Sequence, residues 1–86
     1  MKKILVIVVT YNGMQWLERC LSSVMPGSAG QLQTDLYVLD NDSTDGSADY
    51  VQAHFPKAKL VRSAENLGFS KANNLGFRYA LDKGYD

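Results

Sequence analysis

The sequence contains one cysteine and two prolines, and it has no net charge. Because Cys20 is its single cysteine, the chain can form no intrachain disulfide and offers no four-ligand structural zinc site. Nine basic and nine acidic residues cancel, so no field of one sign attracts nucleic acid or an anionic membrane. No apolar run approaches the roughly 20 residues of a membrane span, and the amino-terminal run lacks the length and cleavage site of a signal peptide. These absences predict no nucleic-acid partner, no membrane segment and a cytoplasmic location.

Three β-strands are predicted in a chain whose 86 residues suffice for one small domain. Residues 4–9 form a continuous run of valine, isoleucine and leucine that does not alternate with polar side chains. Both faces of this strand should therefore be buried, as in a central strand of a parallel sheet. Residues 36–39 and 58–61 predict the second and third strands.

A helix is predicted after each strand from the spacing of the apolar residues. The inward-facing residues are expected to be Trp16, Leu17, Cys20, Leu21 and Val24 in the first helix, Ala48, Val51 and Phe55 in the second, and Ala72, Leu75, Tyr79 and Ala80 in the third. The order β-α-β-α-β-α predicts a three-layer α/β/α fold, in which helices cover both faces of a parallel, Rossmann-like sheet.

Polar loops follow the three strands, at residues 10–13, 40–47 and 65–70. Open parallel sheets bind their ligands at this carboxyl edge. Neither the Gly-x-Gly-x-x-Gly fingerprint of dinucleotide folds nor a phosphate-binding P-loop occurs. The first loop offers the hydroxyl of Thr10, the ring of Tyr11 and the amide of Asn12, which together suit a nucleobase. Alternatively, Asn12 merely caps the first helix.

Carboxylates dominate the second loop. Asp40 ends a buried strand and can accept the N–H of uracil or thymine, which share an imide edge. Asp45 precedes a helix and is interpreted as its cap. Residues 40–46 superficially resemble a calcium loop, but the glycine falls one position late and Val51 stands where the bidentate glutamate belongs. His54, the single histidine, is expected at the surface.

The three loops carry a resemblance that covers nearly the whole chain. Its blocks are Val-Val-Thr-Tyr-Asn at 8–12, Leu-Asp-Asn-Asp-Ser-Thr-Asp-Gly-Ser at 39–47, and Glu-Asn-Leu-Gly-Phe at 65–69 with Ala-Asn-Asn-Leu-Gly at 72–76. In order and spacing these blocks resemble the opening of family 2 glycosyltransferases. The resemblance implies a GT-A fold and the transfer of a sugar from a nucleotide-diphosphate donor to an acceptor hydroxyl, usually with inversion.

Carried over residue by residue, the resemblance implies that Thr10, Tyr11 and Asp40 hold the base. It also implies that Asn66 borders the nucleotide. Lys71, which matches no motif of the family, is a candidate for approaching the diphosphate; alternatively, it is a solvated helix residue. The nucleotide-binding set expected in this chain is Thr10, Tyr11, Asn12, Asp40, Asp42, Asn66 and Lys71.

Two residues depart from the commonest pattern of the family. Gly13 stands where an acidic residue often follows Tyr-Asn, and Asn73 stands where arginine is frequent. The third block is more similar to the rhamnosyltransferase-type branch. This similarity favours a dTDP-linked donor over a UDP-linked one, and it points to bacterial surface polysaccharide or cell-envelope glycan synthesis.

The catalytic parts of such an enzyme are expected beyond Asp86. The resemblance implies a fourth strand, a metal-binding Asp-x-Asp motif and a catalytic base, so residues 1–86 are interpreted as the nucleotide-sugar-binding portion of a longer enzyme. Association of that parent enzyme with a membrane is left open as an alternative. The parent is expected to use Mg²⁺ or Mn²⁺ on the diphosphate. Residues 40–42 have the letters of the motif but the position of the base-binding block. No catalytic and no metal-binding residue is therefore expected here, and the fragment alone should be inactive.

The absent fourth strand would leave residues 4–9 with an unpaired edge, so self-association through the first strand is expected. Two other interpretations stay open. One is a non-catalytic module of the same fold that binds a nucleotide or a protein partner. The other is a different doubly wound enzyme such as a nucleotidyltransferase, which is disfavoured because no Gly-rich basic loop follows the first strand.

Overall fold

The computed structural model describes residues 2–23, 27–29 and 32–85. Its elements are β1 (Lys2–Thr10), α1 (Met14–Ser22), β2 (Gly27–Ala29), β3 (Leu32–Asp40), α2 (Ser47–His54), β4 (Lys59–Arg62) and α3 (Phe69–Asp82). The predicted alternation of strands and helices is confirmed. The short strand β2 was not predicted, because Gly-Ser-Ala carries no apolar pattern. None of the described helices is long and apolar enough to cross a membrane.

Strand β3 is the centre of the sheet. It pairs in parallel with β1 over its whole length, from Lys2 opposite Leu32 to Thr10 opposite Asp40. Its other side pairs in parallel with β4 and, at the opposite end, antiparallel with β2. The three parallel strands therefore finish at one edge of the sheet, which brings their following loops together.

Strand β1 lies at the border of the described sheet, because β3 is its partner and no other described strand pairs with it. The prediction that both of its faces pack into a core is confirmed: Val6 and Val8 join one cluster, and Leu5, Ile7 and Val9 join the other. These five side chains are nevertheless only half-buried. In the described sheet β1 thus has the unpaired edge that was expected for residues 4–9, rather than the central position that the apolar run alone would indicate.

Two apolar clusters, one on each face of the sheet, hold the three layers together. Helices α1 and α2 supply the first with the sheet; its buried members are Leu17, Leu21, Leu36, Val38 and Val51. Helix α3 covers the opposite face, where the buried members are Tyr37, Leu39 and Ala72. Each fully buried leucine or valine contributes roughly 1.5–3 kcal/mol. The predicted three-layer α/β/α arrangement with a parallel sheet of three strands is confirmed.

The prediction of inward-facing residues is correct at the centre of each apolar helix face and wrong at the borders of two of these faces. The inward positions of Leu17, Leu21, Ala48 and Val51 are confirmed. Trp16 is 60 % exposed and Leu75 is 41 % exposed, and Cys20 is exposed, so these three predictions are wrong. Trp16 and Cys20 instead line an open groove together with Val8 and Val9 of β1. Val24 lies outside the described residues.

Helix α3 packs on β1 through a glycine rather than through Leu75. Gly76 is buried, and a β-carbon at this position would lie 2.9 Å from Cγ2 of Ile7 and 3.1 Å from its Cδ1. Such separations are shorter than van der Waals contact, so the close approach of helix and strand depends on the missing side chain.

Tyr85 fastens the end of the chain to the start of β3. Its hydroxyl donates to Oδ2 of Asp35 at 2.6 Å, and Gln33 donates to the same oxygen. The ammonium of Lys3 lies 4.8 Å from the centre of the Tyr85 ring. The hydrogen bond to Asp35, followed by burial, raises the pKa of Tyr85 to about 12.

Replacing Tyr85 by phenylalanine is expected to destabilise the chain at neutral pH and to have a vanishing effect in strong alkali. Because the pKa in the folded state is raised from 10.0 to about 12, the stabilisation by the protonated hydroxyl is complete below pH 10 and is lost as the pH rises through 12. Urea unfolding midpoints of both proteins across this range measure the difference. Burial also raises the pKa of Tyr37, but Tyr37 is present in both proteins and cancels. A gap between the two midpoints that stays constant with pH would contradict the prediction.

Candidate functional site at the carboxyl edge of the sheet

The loops after β1, β3 and β4 meet because their strands end in register. Thr10 and Asp40 are direct neighbours across the β1–β3 pair, and Asp40 stands beside Arg62 across the β3–β4 pair. The pairing continues one residue past each strand: Asn41 N donates to Thr10 O at 2.8 Å, and Ser63 N donates to Asp40 O at 2.9 Å. Backbone hydrogen bonds thus set the floor of the site.

Asp40 is the most unusual side chain at this edge. It is a carboxylate with only 3 % of its surface exposed. Its Oδ2 accepts a hydrogen bond from Ser43 N at 3.0 Å. Its Oδ1 is buried and has no hydrogen-bond partner among the residues that the structure describes. An unsatisfied buried acceptor costs about 1–3 kcal/mol, which an N–H donor from a ligand would recover.

The first and second loops bind each other through Asn12. Its backbone N–H donates to Ser43 Oγ, and its Oδ1 accepts from Thr44 N, both at 2.8 Å. Asn12 adopts a left-handed conformation with φ of 49°, which asparagine tolerates better than most residues. The side-chain oxygen proposed to bind a base is therefore already engaged. The alternative cap role is wrong, since the N-cap of α1 is Gly13.

Asp45 ties together the beginnings of two helices. One oxygen accepts from the N–H of Met14, the first residue of α1, and the other accepts from the N–H of Ser47, the first residue of α2, each at 3.0 Å. The Ser47 hydroxyl also donates to Asp45. This last bond is the largest of the contacts that hold the pKa of Asp45 below its ordinary value. The N-cap of α2 is Gly46, so the prediction that Asp45 is the cap residue is wrong in position. From one residue earlier, its carboxylate nevertheless binds the first N–H of α2 and that of a residue 31 positions earlier, at the start of α1.

The third loop is attached to the second through Asn41. This side chain is 3 % exposed; its Oδ1 accepts from Leu67 N at 2.6 Å and its Nδ2 donates to Gly68 O at 3.4 Å. Within the loop, Asn66 Oδ1 accepts from Gly68 N at 2.9 Å. Asn41 was not predicted to have this role. An amide directly after a buried strand was the available signal.

The other residues of the predicted nucleotide-binding set lie at the same edge. Thr10 is buried beneath the first loop, and Tyr11 is 55 % exposed. Both line a groove of about 280 Å³ between the end of β1 and α1, together with Val8, Val9, Gly13, Trp16, Leu17 and Cys20. Asp42, Asn66 and Lys71 are exposed, with Lys71 in the first turn of α3. The structure brings Thr10 and Asp40 into direct contact along the sheet, whereas a role for each remains a prediction.

Residues 40–42 do not form a metal centre. One oxygen of Asp40 is bound to Ser43 N, while Asp42 is exposed in a left-handed turn with φ of 65°. Across residues 2–23, 27–29 and 32–85, no three histidine, cysteine or acidic side chains converge as a divalent-metal site requires. These residues do not fit the Mg²⁺ or Mn²⁺ that the resemblance implies for the parent enzyme.

Comparison with known proteins decides the family. A sequence profile described as Glycosyl transferase family 2 matches residues 5–85. The chain belongs to glycosyltransferase family 2. The resemblance carried by the three polar loops is thereby confirmed.

Two kinds of curated relative are similar to this chain, and both are considerably longer. An undecaprenyl-phosphate mannosyltransferase from Micrococcus luteus is 29 % identical over 98 % of this chain and 35 % of its own length. An N-acetylglucosaminyl-diphospho-decaprenol L-rhamnosyltransferase from Mycobacterium tuberculosis is 33 % identical over 80 % of this chain and 22 % of its own length. The chain therefore spans about a third or less of the relatives it matches.

Proposed function

We propose that this chain recognises the nucleotide of a nucleotide-diphosphate sugar on behalf of a family 2 glycosyltransferase. The unpartnered, buried Oδ1 of Asp40 is the observation that carries the proposal. It needs an N–H donor, and it lies beside Thr10 at the edge where parallel sheets bind ligands. The exposed ring of Tyr11, the residue after Thr10, offers a face on which a base can stack.

The hydrogen bonding of Asp40 favours uracil or thymine over guanine. Uracil and thymine each present one N–H between two carbonyl oxygens, which a single carboxylate oxygen can satisfy. Guanine presents two parallel N–H donors that match both oxygens of a carboxylate. Because Oδ2 already accepts from Ser43 N, only Oδ1 is available. UDP- and dTDP-linked sugars are therefore the proposed donors, with Asn66 and Lys71 near the ribose and diphosphate.

The relatives' names supply the proposed acceptor class. Both name a polyprenyl phosphate or diphosphate and a glycosyl transfer. We extend this to the parent of the present chain: a sugar is transferred to a hydroxyl or phosphate of a lipid-linked acceptor, in cell-envelope glycan synthesis. Such an enzyme would take its donor from the cytoplasm and meet its acceptor at the membrane.

The chain alone is proposed to bind nucleotide without transferring sugar. The described residues contain no cluster that could hold a metal on the diphosphate, and the proposed site provides Asp40 for the base rather than for an acceptor hydroxyl. Incubation with UDP-glucose or dTDP-rhamnose should release no nucleoside diphosphate above the rate in buffer. Release at enzymatic rates would contradict this part of the proposal.

A nuclear magnetic resonance titration tests nucleotide recognition. UDP and dTDP are expected to shift the backbone amides of Thr10, Tyr11, Asp40 and residues 66–68, and GDP should do so more weakly at equal concentration. Amides on the far side of α2, around Ala53, serve as the internal control. An absence of shifts at millimolar UDP and dTDP would remove nucleotide binding from this chain. Equal shifts with GDP would remove only the base preference.

We also propose that the edge of β1 that no described strand pairs with drives self-association. Apolar groups flank this edge: Trp16 is 60 % exposed and Ile4 is 39 % exposed. An apolar border strand is a template for pairing with a second chain, and a lysine on it opposes pairing. Sedimentation velocity should show concentration-dependent dimers that Ile4→Lys weakens. Ala53→Lys, which adds the same charge to the exposed side of α2, is the matched control. A strictly monomeric profile at high concentration would refute the proposal.

A further inference from the structure

Asn41 joins all three strand-end loops. Its backbone N–H donates to the carbonyl of Thr10 at 2.8 Å. Its side chain bonds twice to the third loop, accepting from Leu67 N at 2.6 Å and donating to Gly68 O at 3.4 Å. Asp40, whose buried Oδ1 is the proposed base acceptor, is the preceding residue. A single buried amide thus connects the end of β3 with the segment that leads into α3.

We propose that Asn41 is a positioning residue that sets the distance between Asp40 and the loop of residues 66–68. This inference rests on the proposed nucleotide binding, and it assigns to Asn41 no contact with the nucleotide itself. Asn41 is proposed to position the third loop. That loop must lie within reach of the same nucleotide as Asp40 if one nucleotide is to contact both.

The third loop behaves as one body with the start of α3. Asn66 Oδ1 accepts from Gly68 N, and Gly68 O accepts from Ala72 N in the first turn of the helix. Gly68 has φ of 78°, a conformation in which glycine is the least strained residue. A shift of Gly68 is therefore expected to move Asn66 and the first turn of α3 together. Asn41 binds this segment at Leu67 N and Gly68 O, between Asn66 and the helix.

An amide is the one side chain of this size that suits both contacts. Leu67 N requires an acceptor, and Gly68 O requires a donor; asparagine supplies one of each. Alanine supplies neither. Aspartate has the same shape but, when ionised, directs a second acceptor at Gly68 O. When protonated, the same carboxyl group donates to Gly68 O and so restores both hydrogen bonds.

The aspartate variant therefore gives a signature that a merely structural residue would not. Burial, the flanking Asp40 and Asp42, and Glu65 at the start of the facing loop all raise the pKa of a carboxyl group at position 41, whereas Lys71 in the first turn of α3 lowers it. The Arg62 side chain is directed to Asp49 and Gln52 on α2. Protonation of Asn41→Asp should consequently occur within an accessible range of mildly acidic pH.

The experiment compares UDP affinity in the 86-residue wild type, Asn41→Ala, Asn41→Asp and Asn74→Ala. Asn74 is an exposed amide on α3 and serves as the matched control. At neutral pH both position-41 variants should bind UDP about tenfold more weakly, and the Asn74 variant should bind like the wild type. On acidification the ratio between wild type and Asn41→Asp should shrink, while the ratio for Asn41→Ala should stay constant. Comparing ratios removes any pH dependence that all four proteins share.

Amide hydrogen exchange without nucleotide provides the second readout. The Leu67 amide should exchange faster in Asn41→Ala than in the wild type, with α2 amides unchanged. Wild-type UDP affinity in both position-41 variants at neutral pH would overturn the positioning role and leave the proposed function standing. A pH-independent loss in Asn41→Asp would also overturn it. If the wild type binds no UDP, the proposed function fails, and the positioning role fails with it.

Discussion

Replacement of Asp40 by asparagine is expected to weaken UDP binding about 100-fold while leaving the fold intact. A hydrogen bond to a charged acceptor contributes about 1.5–3 kcal/mol, and asparagine removes that charge. The amide would also turn a donor toward the N–H of the base, because its carbonyl is needed by Ser43 N, the present partner of Oδ2. Titration calorimetry or chemical-shift perturbation measures the loss.

The stability of this variant separates binding from folding. In the free chain Oδ1 of Asp40 has no partner among the described residues, so its replacement breaks no hydrogen bond there. The thermal midpoint should therefore stay within a few degrees of the wild type, corresponding to less than about 1 kcal/mol. Asp82→Asn, an exposed carboxylate at the end of α3, controls for the loss of one charge. Undiminished UDP affinity in Asp40→Asn would refute the assignment of Asp40 as the base acceptor.

Replacement of Gly76 by leucine is expected to lower the free energy of unfolding by about 2 kcal/mol. The first added atom alone would lie 2.9 Å from Ile7 Cγ2, so α3 must move away from β1 or Ile7 must leave its rotamer. Leucine is a better helix former than glycine by up to about 1 kcal/mol, so any loss comes from packing. The thermal midpoint should fall by roughly 10 °C.

A double variant tests the cause of this loss. Ile7→Ala removes the atoms that a side chain at position 76 would meet, so Gly76→Leu should cost less, or even stabilise, in that background. The resulting coupling free energy is expected to exceed about 1 kcal/mol. Arg78→Leu, on the exposed side of the same helix, controls for adding an apolar residue. Additive effects of Gly76→Leu and Ile7→Ala would contradict the proposed contact.

The accuracy of the sequence prediction depended on how far apart the interacting residues lie. Strands and helices follow from periodicity within short windows, and the order of the three parallel strands and three helices was predicted correctly, whereas the short strand β2 was missed. Buried positions such as Leu21 and Val51, at the centres of their stripes, were also correct. Trp16 and Leu75 failed because whether a border position is covered depends on which neighbour the sheet provides there. Periodicity does not contain that information.

The candidate site divides in the same way. Asp40, Thr10 and Tyr11 were recognisable because a polar residue directly after a buried strand arrives at the carboxyl edge of a parallel sheet. The double role of Asp45 and the anchoring role of Asn41 were not, since their partners Met14 and Leu67 lie 31 and 26 residues away in the chain. The hydrogen bond from Thr44 N to the Asn12 side chain was likewise not predicted, because these residues lie 32 positions apart in the chain.

The alternation of strands and helices, the family, and the edge of the sheet where polar residues collect could all be predicted from the sequence. This was possible because each rests on local periodicity or on motifs that are contiguous in the chain. Three features became visible only in the folded chain: β3 is central in the described sheet, Oδ2 of Asp40 is satisfied by Ser43 N, and Oδ1 of Asp40 is buried without a partner among the described residues. Those outcomes depend on which polar groups are brought within about 3 Å of one another. The folding of the chain brings these groups together from distant positions, so local sequence patterns do not reveal them.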